Sequence, residues 1–284
     1  MSTAFGILTI VKALQEAEGF IGGKNWQAMN ANQTELLRRM PSVRQAMSLV
    51  PTLKGWAKDN AEELNRILEE EGLSIRLNPW ARDANHFGVV SVNKFGIRWL
   101  CDGETEDQGS PILVQNKPAF RLKKKAKVAF LNRPHSNDPI IEIPTKTGDI
   151  AYLTKWGRPT EGFELIRYIE ELEQGASTDS HSNYSGAVIP MVKMATQPDM
   201  TWLLGLENGP WFVSQALQEV QYAMNHKGAD VVEGTAVAFT RSAPMHYYLD
   251  TDFLMWITRP GVSAPLFAAH ITQDDWSDPG ELTS

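Results

Sequence analysis

The sequence predicts an α+β protein, helices first and mostly strands after. Three observations carry this. Residues 1–80 are dominated by segments whose apolar positions recur with helical spacing. After Asn78-Pro79 the chain turns to runs rich in β-branched and aromatic residues. Strands and helices do not then alternate regularly, as they would in a parallel doubly wound sheet. We read residues 1–284 as a single unit, with 1–80 its mainly helical part and 81–284 its β-rich part.

The elements follow in chain order. "TELLRRM" and "VRQAMSL" flank Pro41, which is expected to end one helix or start the next. "TLKGWAKDNAEELNRILEEEGL" puts Leu53, Trp56, Ala57, Leu64, Ile67 and Leu68 near one helical face, with Gly72 as its C-cap. "HFGVVSVNKFGIRWL", 86–100, reads as a buried strand. "PAFRLKKKAKVAFL" and "PIIEIPTKTGDIAYLTKW" read as strands, the second folded at Lys146-Thr147-Gly148-Asp149. "GFELIRYIEELEQG" is a helix closed by Gly175, and polar "ASTDSHSNYSG" a loop. "AVIPMVKM" is a strand and "DMTWLLGL" a short helix capped by Asp199. "FVSQALQEVQYAMN" fits helix or strand. "YYLDTDFLMWITRP" and "APLFAAHIT" are strands joined at Arg259-Pro260-Gly261. The second covers 264–272 and the first 247–258, with large apolar groups on both faces.

Composition excludes several classes. A net charge of −7 disfavours a nucleic-acid partner. The single cysteine, Cys101, permits no intrachain disulfide and fits a reducing compartment. The longest apolar run is too short for a membrane span, and the first twenty residues lack a basic leader pattern, so a cytoplasmic setting is expected. "GFIGGKN", 19–25, imitates a phosphate-binding loop. Its first glycine falls one residue short, and Asn25 stands where a hydroxyl would hold magnesium. No nucleophile elbow and no zinc-protease motif occurs, and the six histidines lack metal-pair spacing. We therefore assign no catalytic residue, metal ligand or cofactor, and expect no enzyme. Lys123, Lys124, Lys125 and Lys127 form a basic run with two readings, a patch for an acidic partner or a solvated edge strand guarded by lysines. The strand-like setting favours the edge strand.

Read in order, five segments resemble the serpin family. "VVSVNKFGIRW", 89–99, is similar to that family's central strand, with Asn93, Phe95, Gly96 and Trp99 in the matching places. "IIEIPTKTGDIAYLTKW" resembles the paired strands that follow. "AVIPMVKM" and "DMTWLLGLE" look like the next strand and its short helix, through Pro190, Lys193, Asp199 and Leu203. "WFVSQALQEVQYAMNHKGADVVEGTAVAF" resembles the strand and hinge before the reactive loop, with Glu233, Gly234 and Thr235 at the hinge. "LDTDFLMWITRPGVSAPLFAAHI" is similar to the C-terminal hairpin. The match covers about residues 87–275 and is poorest in the first 80, where the chain is also shortened.

The resemblance implies a spring: a protease cuts an exposed loop, and the freed hinge inserts as a new strand in the main sheet. It also implies a buried Trp99 at the top of that sheet, beside the hinge. The candidate cleaved bond is Arg241-Ser242. Against a spring, the hinge lacks a long alanine run and carries bulky Phe239. About six residues separate Thr235 from Arg241, roughly 20 Å of strand at ~3.3 Å each. The expectation is a protein that acts through contacts with a protein partner, with Arg241 an ordinary exposed loop residue. The alternative is an inhibitor of a serine or cysteine protease that uses residues 235–246.

Overall fold

The computed structural model describes residues 1–80, 86–133, 135–177, 184–227 and 245–282. Among these, helix α1 spans Ile7–Ile21, α2 Ala31–Ala46, α3 Ala61–Glu70 and α4 Gly162–Gly175. The longer strands are β1 Leu53–Lys58, β2 Gly88–Asn93, β3 Lys117–Lys123, β4 Ala129–Leu131, β5 Ile140–Pro144, β6 Ile150–Lys155, β7 Gly186–Pro190, β8 Val192–Thr196, β9 Val220–Met224, β10 Tyr247–Tyr248, β11 Phe253–Thr258 and β12 Phe267–Ile271.

The largest sheet has six strands in the order Thr3–Ala4, β12, β11, β6, β5, β4, all antiparallel. Its centre is the C-terminal hairpin the sequence predicts. Ile257 pairs with Phe267 at the turn, and Val262 N–H closes that turn on Arg259 O at 3.0 Å. Phe253, Leu254, Met255, Trp256 and Ile257 are all buried, so both faces of β11 are covered. The pattern is apolar at every position because neither face meets water. Helix α4 packs against β12, and Trp256 Nε1–H donates to Glu173 Oε1 at 2.8 Å.

A second sheet runs β10, β7, β3, Leu113–Val114. Two further pairs stand apart from both sheets, β1 with β2 and β8 with β9. One buried cluster extends from Ala4 to Trp276, and a smaller one joins Leu64 and Leu68 of α3 to Val90 and Val92 of β2.

Several elements differ from expectation. The stretch read as one helix from Leu53 is strand β1 followed by α3. Asp59 and Asn60 divide them, and the Asn60 side chain accepts from Glu62 N as the N-cap. Tertiary pairing with β2 overrides the helical spacing of Leu53, Trp56 and Ala57. Pro41 neither starts nor ends a helix. It lies inside α2 on an exposed face, where water can satisfy the carbonyl that its ring leaves without a donor. "AVIPMVKM" is two strands, because Met191 turns the chain from one sheet to another. Tyr247–Tyr248 does not extend β11 but runs parallel to β7. The segment left open as helix or strand ends in strand β9.

Candidate binding groove between two half-sheets

Helix α1 sets the geometry of the groove. It lies against β1 so closely that a Cβ at Gly55 would stand 2.6 Å from the Glu16 side chain. Ser91 Oγ–H of β2 donates to Thr9 O, which fixes the helix against the same strand pair. On its other flank the Gln218 amide brackets the helix start, accepting from Gly6 N at 3.1 Å and donating to Gly6 O at 3.0 Å. The helix is thus tied to the β1–β2 pair on one side and to the approach to β9 on the other.

The two pairs face each other over this helix without joining. Leu53 to Lys58 pair with Asn93 to Gly88, and Val192 to Thr196 with Met224 to Val220. Among the described residues, β2 has no ladder partner but β1, and β9 none but β8. Between their facing edges lies a cavity of about 950 Å³, lined by residues 89–97 on one rim and 215–223 on the other. Its walls are mostly apolar and include Leu203, Leu266 and Phe267. Tyr222 stacks on Phe267 with ring centres 4.4 Å apart.

One end of the groove is closed where β2 and β9 lead out. Trp99 is buried and donates from Nε1 to Asn225 O at 3.0 Å, and Gly103 N–H reaches His226 O at 2.9 Å. The Trp99 ring stacks over Phe120 of β3 at 6.4 Å, and its backbone bridges Thr145. Asn93 lies at the end of β2, where its side chain accepts from Thr52 Oγ1 at 2.8 Å. Toward the other end the groove is spanned by an extended strap, Gly72 to Asn78. Leu73, Ile75 and Leu77 pack on the α3–β2 cluster. The strap meets the opposite rim through seven hydrogen bonds. Ser74 N–H, Ser74 Oγ–H and Ile75 N–H all donate to Glu219 Oε2, at 2.7, 2.8 and 3.0 Å. Gln215 and Asn78 exchange two bonds, Gln221 Nε2 donates to Gly72 O, and Gln197 Nε2 to Ser74 Oγ. Burial pushes the Glu219 carboxyl up. Donors from Gln221, Ser74 and the two backbone N–H groups outweigh this and hold it below the usual carboxylate range.

Among the described residues the pairs β1–β2 and β8–β9 are not joined, and the cavity lies between them. Glu233, Gly234, Thr235, Phe239, Arg241 and Ser242 lie outside the described residues. So does the neighbourhood of the hinge in which Trp99 was expected. The basic run is not an edge strand. Lys123 ends β3, an interior strand whose residues 119–123 pair with β7, and Lys124 and Lys125 follow in a short 3-10 turn. Lys127 stands in a left-handed conformation just after it. Lys123 pairs with Glu104 at 2.5 Å, and Arg121 with Glu104 and Asp107.

The strap and its receptors Gln197, Gln215, Glu219 and Gln221 were not read from the sequence. A signal was present. "LSIRLN" alternates apolar and polar residues before Pro79, the pattern of an extended segment packed on one face.

No family model matches the chain, and no curated protein matches it by sequence. Solved structures do match. Mouse protein-Z dependent protease inhibitor superposes with a TM-score of 0.59 and 13% identity, over 95% of this chain and 90% of that one. The chain has the serpin fold. Human thyroxine-binding globulin, solved with its thyroxine, gives a TM-score of 0.58 and 11% identity over 98% and 93%. Serpin48, described as a highly specific serpin of the insect Tenebrio molitor, gives 0.53 and 12% over 94% and 96%. One of these neighbours is named a protease inhibitor and another a thyroxine-binding globulin. Among the described residues, no helix is long and apolar enough to cross a membrane.

Proposed function

We propose that this chain is a protein-binding member of the serpin fold, a single unit in which the groove receives an extended segment of a protein partner. One observation carries the reading: two strand edges that are unpaired among the described residues, β2 and β9, border the same apolar cavity. An extended peptide between them would satisfy backbone donors and acceptors on both sides and place alternate side chains on the apolar floor. The same edges favour a second reading, in which the occupant is this chain's own segment 228–244 after a protease has cut it. That segment follows β9 directly in the sequence.

Length favours the first reading. About six residues between Thr235 and Arg241 span roughly 20 Å, and β2 itself has six residues. Such an insert would fill the groove yet move an attached protease only that far. The known neighbours that inhibit proteases lend the second reading its weight, and their low identity to this chain does not extend it.

The test has two arms. Incubation with trypsin and with chymotrypsin, read on a denaturing gel, is expected to give cleavage without a covalent adduct. An adduct that survives boiling in detergent would establish the inhibitor instead. In the second arm a labelled peptide of residues 233–241 serves as an extended-strand probe in trans. It is expected to bind saturably to the protein and not to the Ala223→Trp variant, whose exposed new ring fills the rim. Equal binding to both would place the peptide elsewhere.

A further inference from the structure

We propose that the strap Gly72 to Asn78 is a releasable cover on the groove, latched by the Glu219 carboxylate. This rests on the groove being a binding site and adds how entry to it is controlled.

The strap is attached to its two rims by different forces. On the β2 side it is held by burial: Leu73, Ile75 and Leu77 join Leu64, Leu68, Val90 and Val92 in one cluster. That attachment is continuous with α3 and moves with it. On the β9 side the attachment is polar and sits near the surface, made by Gln197, Gln215, Glu219 and Gln221. Exposed hydrogen bonds exchange with water at little net expense, whereas the apolar cluster does not. Opening therefore starts on the β9 side, with α3 and the β1–β2 pair as the hinge body.

Glu219 is the centre of the polar side. One oxygen, Oε2, collects three donors from Ser74 and Ile75, and the other accepts from Gln221 Nε2 at 2.7 Å. Two of the donors are consecutive backbone N–H groups, a small anion nest that only an ionised acceptor satisfies fully. Gln221 in turn donates to Gly72 O, so losing the carboxylate also loosens the first residue of the strap. The groove is closed at its opposite end by buried Trp99, which leaves the strap side as its entrance.

The experiment is hydrogen–deuterium exchange on the full chain, wild type against Glu219→Ala and Glu219→Gln, with anilinonaphthalene sulfonate fluorescence as a second readout. Glu219→Ala is expected to speed exchange at Ser74 and Ile75 about tenfold or more, through the loss of three charge-assisted bonds. Residues 89–93 and 220–224 should follow, dye binding should rise, and protection in β11 and β12 should stay as it is. Glu219→Gln keeps an acceptor and should fall between. Unchanged exchange at Ser74 and Ile75 in folded Glu219→Ala would overturn the latch. Should that variant not fold, Ser74→Cys with Glu219→Cys in a Cys101→Ala background gives a reversible staple. The dye should enter only after reduction, and equal entry in both states would overturn the cover. The groove reading fails separately. If exchange shows the latch opening but the 233–241 peptide binds no variant, the cover stands and strand acceptance does not.

Discussion

Two sheets of this molecule are built on opposite terms. In the six-stranded sheet every neighbour is in register, and β11 buries Phe253 to Ile257 on both faces. The pairs β1–β2 and β8–β9, on either side of the groove, each lack a partner on one edge among the described residues. The first sheet places its hydrogen bonds and its apolar area in the same strands, so it has no state to move to. These two pairs keep their backbone edges toward an apolar cavity, and α1, the Trp99–Asn225 hydrogen bond and the strap connect them around it. Unpaired edges beside apolar surface are a liability unless covered or used. Here they are covered at one end by side-chain hydrogen bonds, which are easily exchanged.

The largest effect that would test the contrast is loss of the C-terminal hairpin. Ending the chain at Arg259 removes β12, the partner of β11, and exposes its five buried residues. This truncation is expected to abolish cooperative folding. A soluble fragment with a sharp melting transition would show that the six-stranded sheet is not the foundation.

Trp99→Ala comes next. The ring is buried, and its N–H ties Asn225 O at the closed end of the groove. Large-to-small changes at such sites cost about 3–5 kcal/mol. For a chain of this size each kcal/mol lowers Tm by roughly 2–4 °C. A loss below about 1 kcal/mol in denaturant titration would mean that the groove end is not held there.

A smaller effect is expected from acid. The Glu219 carboxyl is held below its usual range, so its contribution is present above the unfolded value of about 4.3 and is lost as pH falls through the folded value. Glu71, also lowered, sits beside the strap with Lys94 and Lys54, and Arg76 lies 3.7 Å from Glu69. The ionised Glu219 carboxylate therefore favours the closed strap at neutral pH. Protection of Ser74 and Ile75 relative to intrinsic amide exchange should therefore fall below about pH 4, before the six-stranded sheet melts. Simultaneous loss of both would deny the strap an equilibrium of its own.

Much of the six-stranded sheet was legible in the sequence because its signals are local. β11 is apolar at every position, Arg259-Pro260-Gly261 marks its turn, and Lys146 to Asp149 marks the turn between β5 and β6. The split sheet was less legible. β1 carries helical spacing at Leu53, Trp56 and Ala57, and only its partner β2, thirty residues on, makes it a strand. The groove had no local signal at all, since it is a property of two strands failing to meet. The strap had one, the alternation at Leu73, Ile75 and Leu77, but its polar receptors lie more than a hundred residues away.

The smallest expected effect is a clip at Arg241-Ser242. A spring would raise Tm sharply once cut, because the freed segment would add a strand. Here the groove is already parted, so no sheet has to be opened, and the balance rests on the insert itself. About six residues could be ordered between β2 and β9, each losing ~1–2 kcal/mol of backbone entropy. Each could form about two ladder bonds, worth ~1 kcal/mol net apiece. These nearly cancel. Insertion would also displace the strap and its seven bonds to the β9 side, and would bring bulky Phe239 against the floor or the rim. Misfits of that kind cost ~1–3 kcal/mol. Tm should therefore stay within a few degrees after a single clip, with the Glu219→Ala variant behaving alike. A large upward shift in both would show that the edges of β2 and β9 had been waiting for this chain's own segment. A shift confined to Glu219→Ala would mean that the strap alone keeps that segment out.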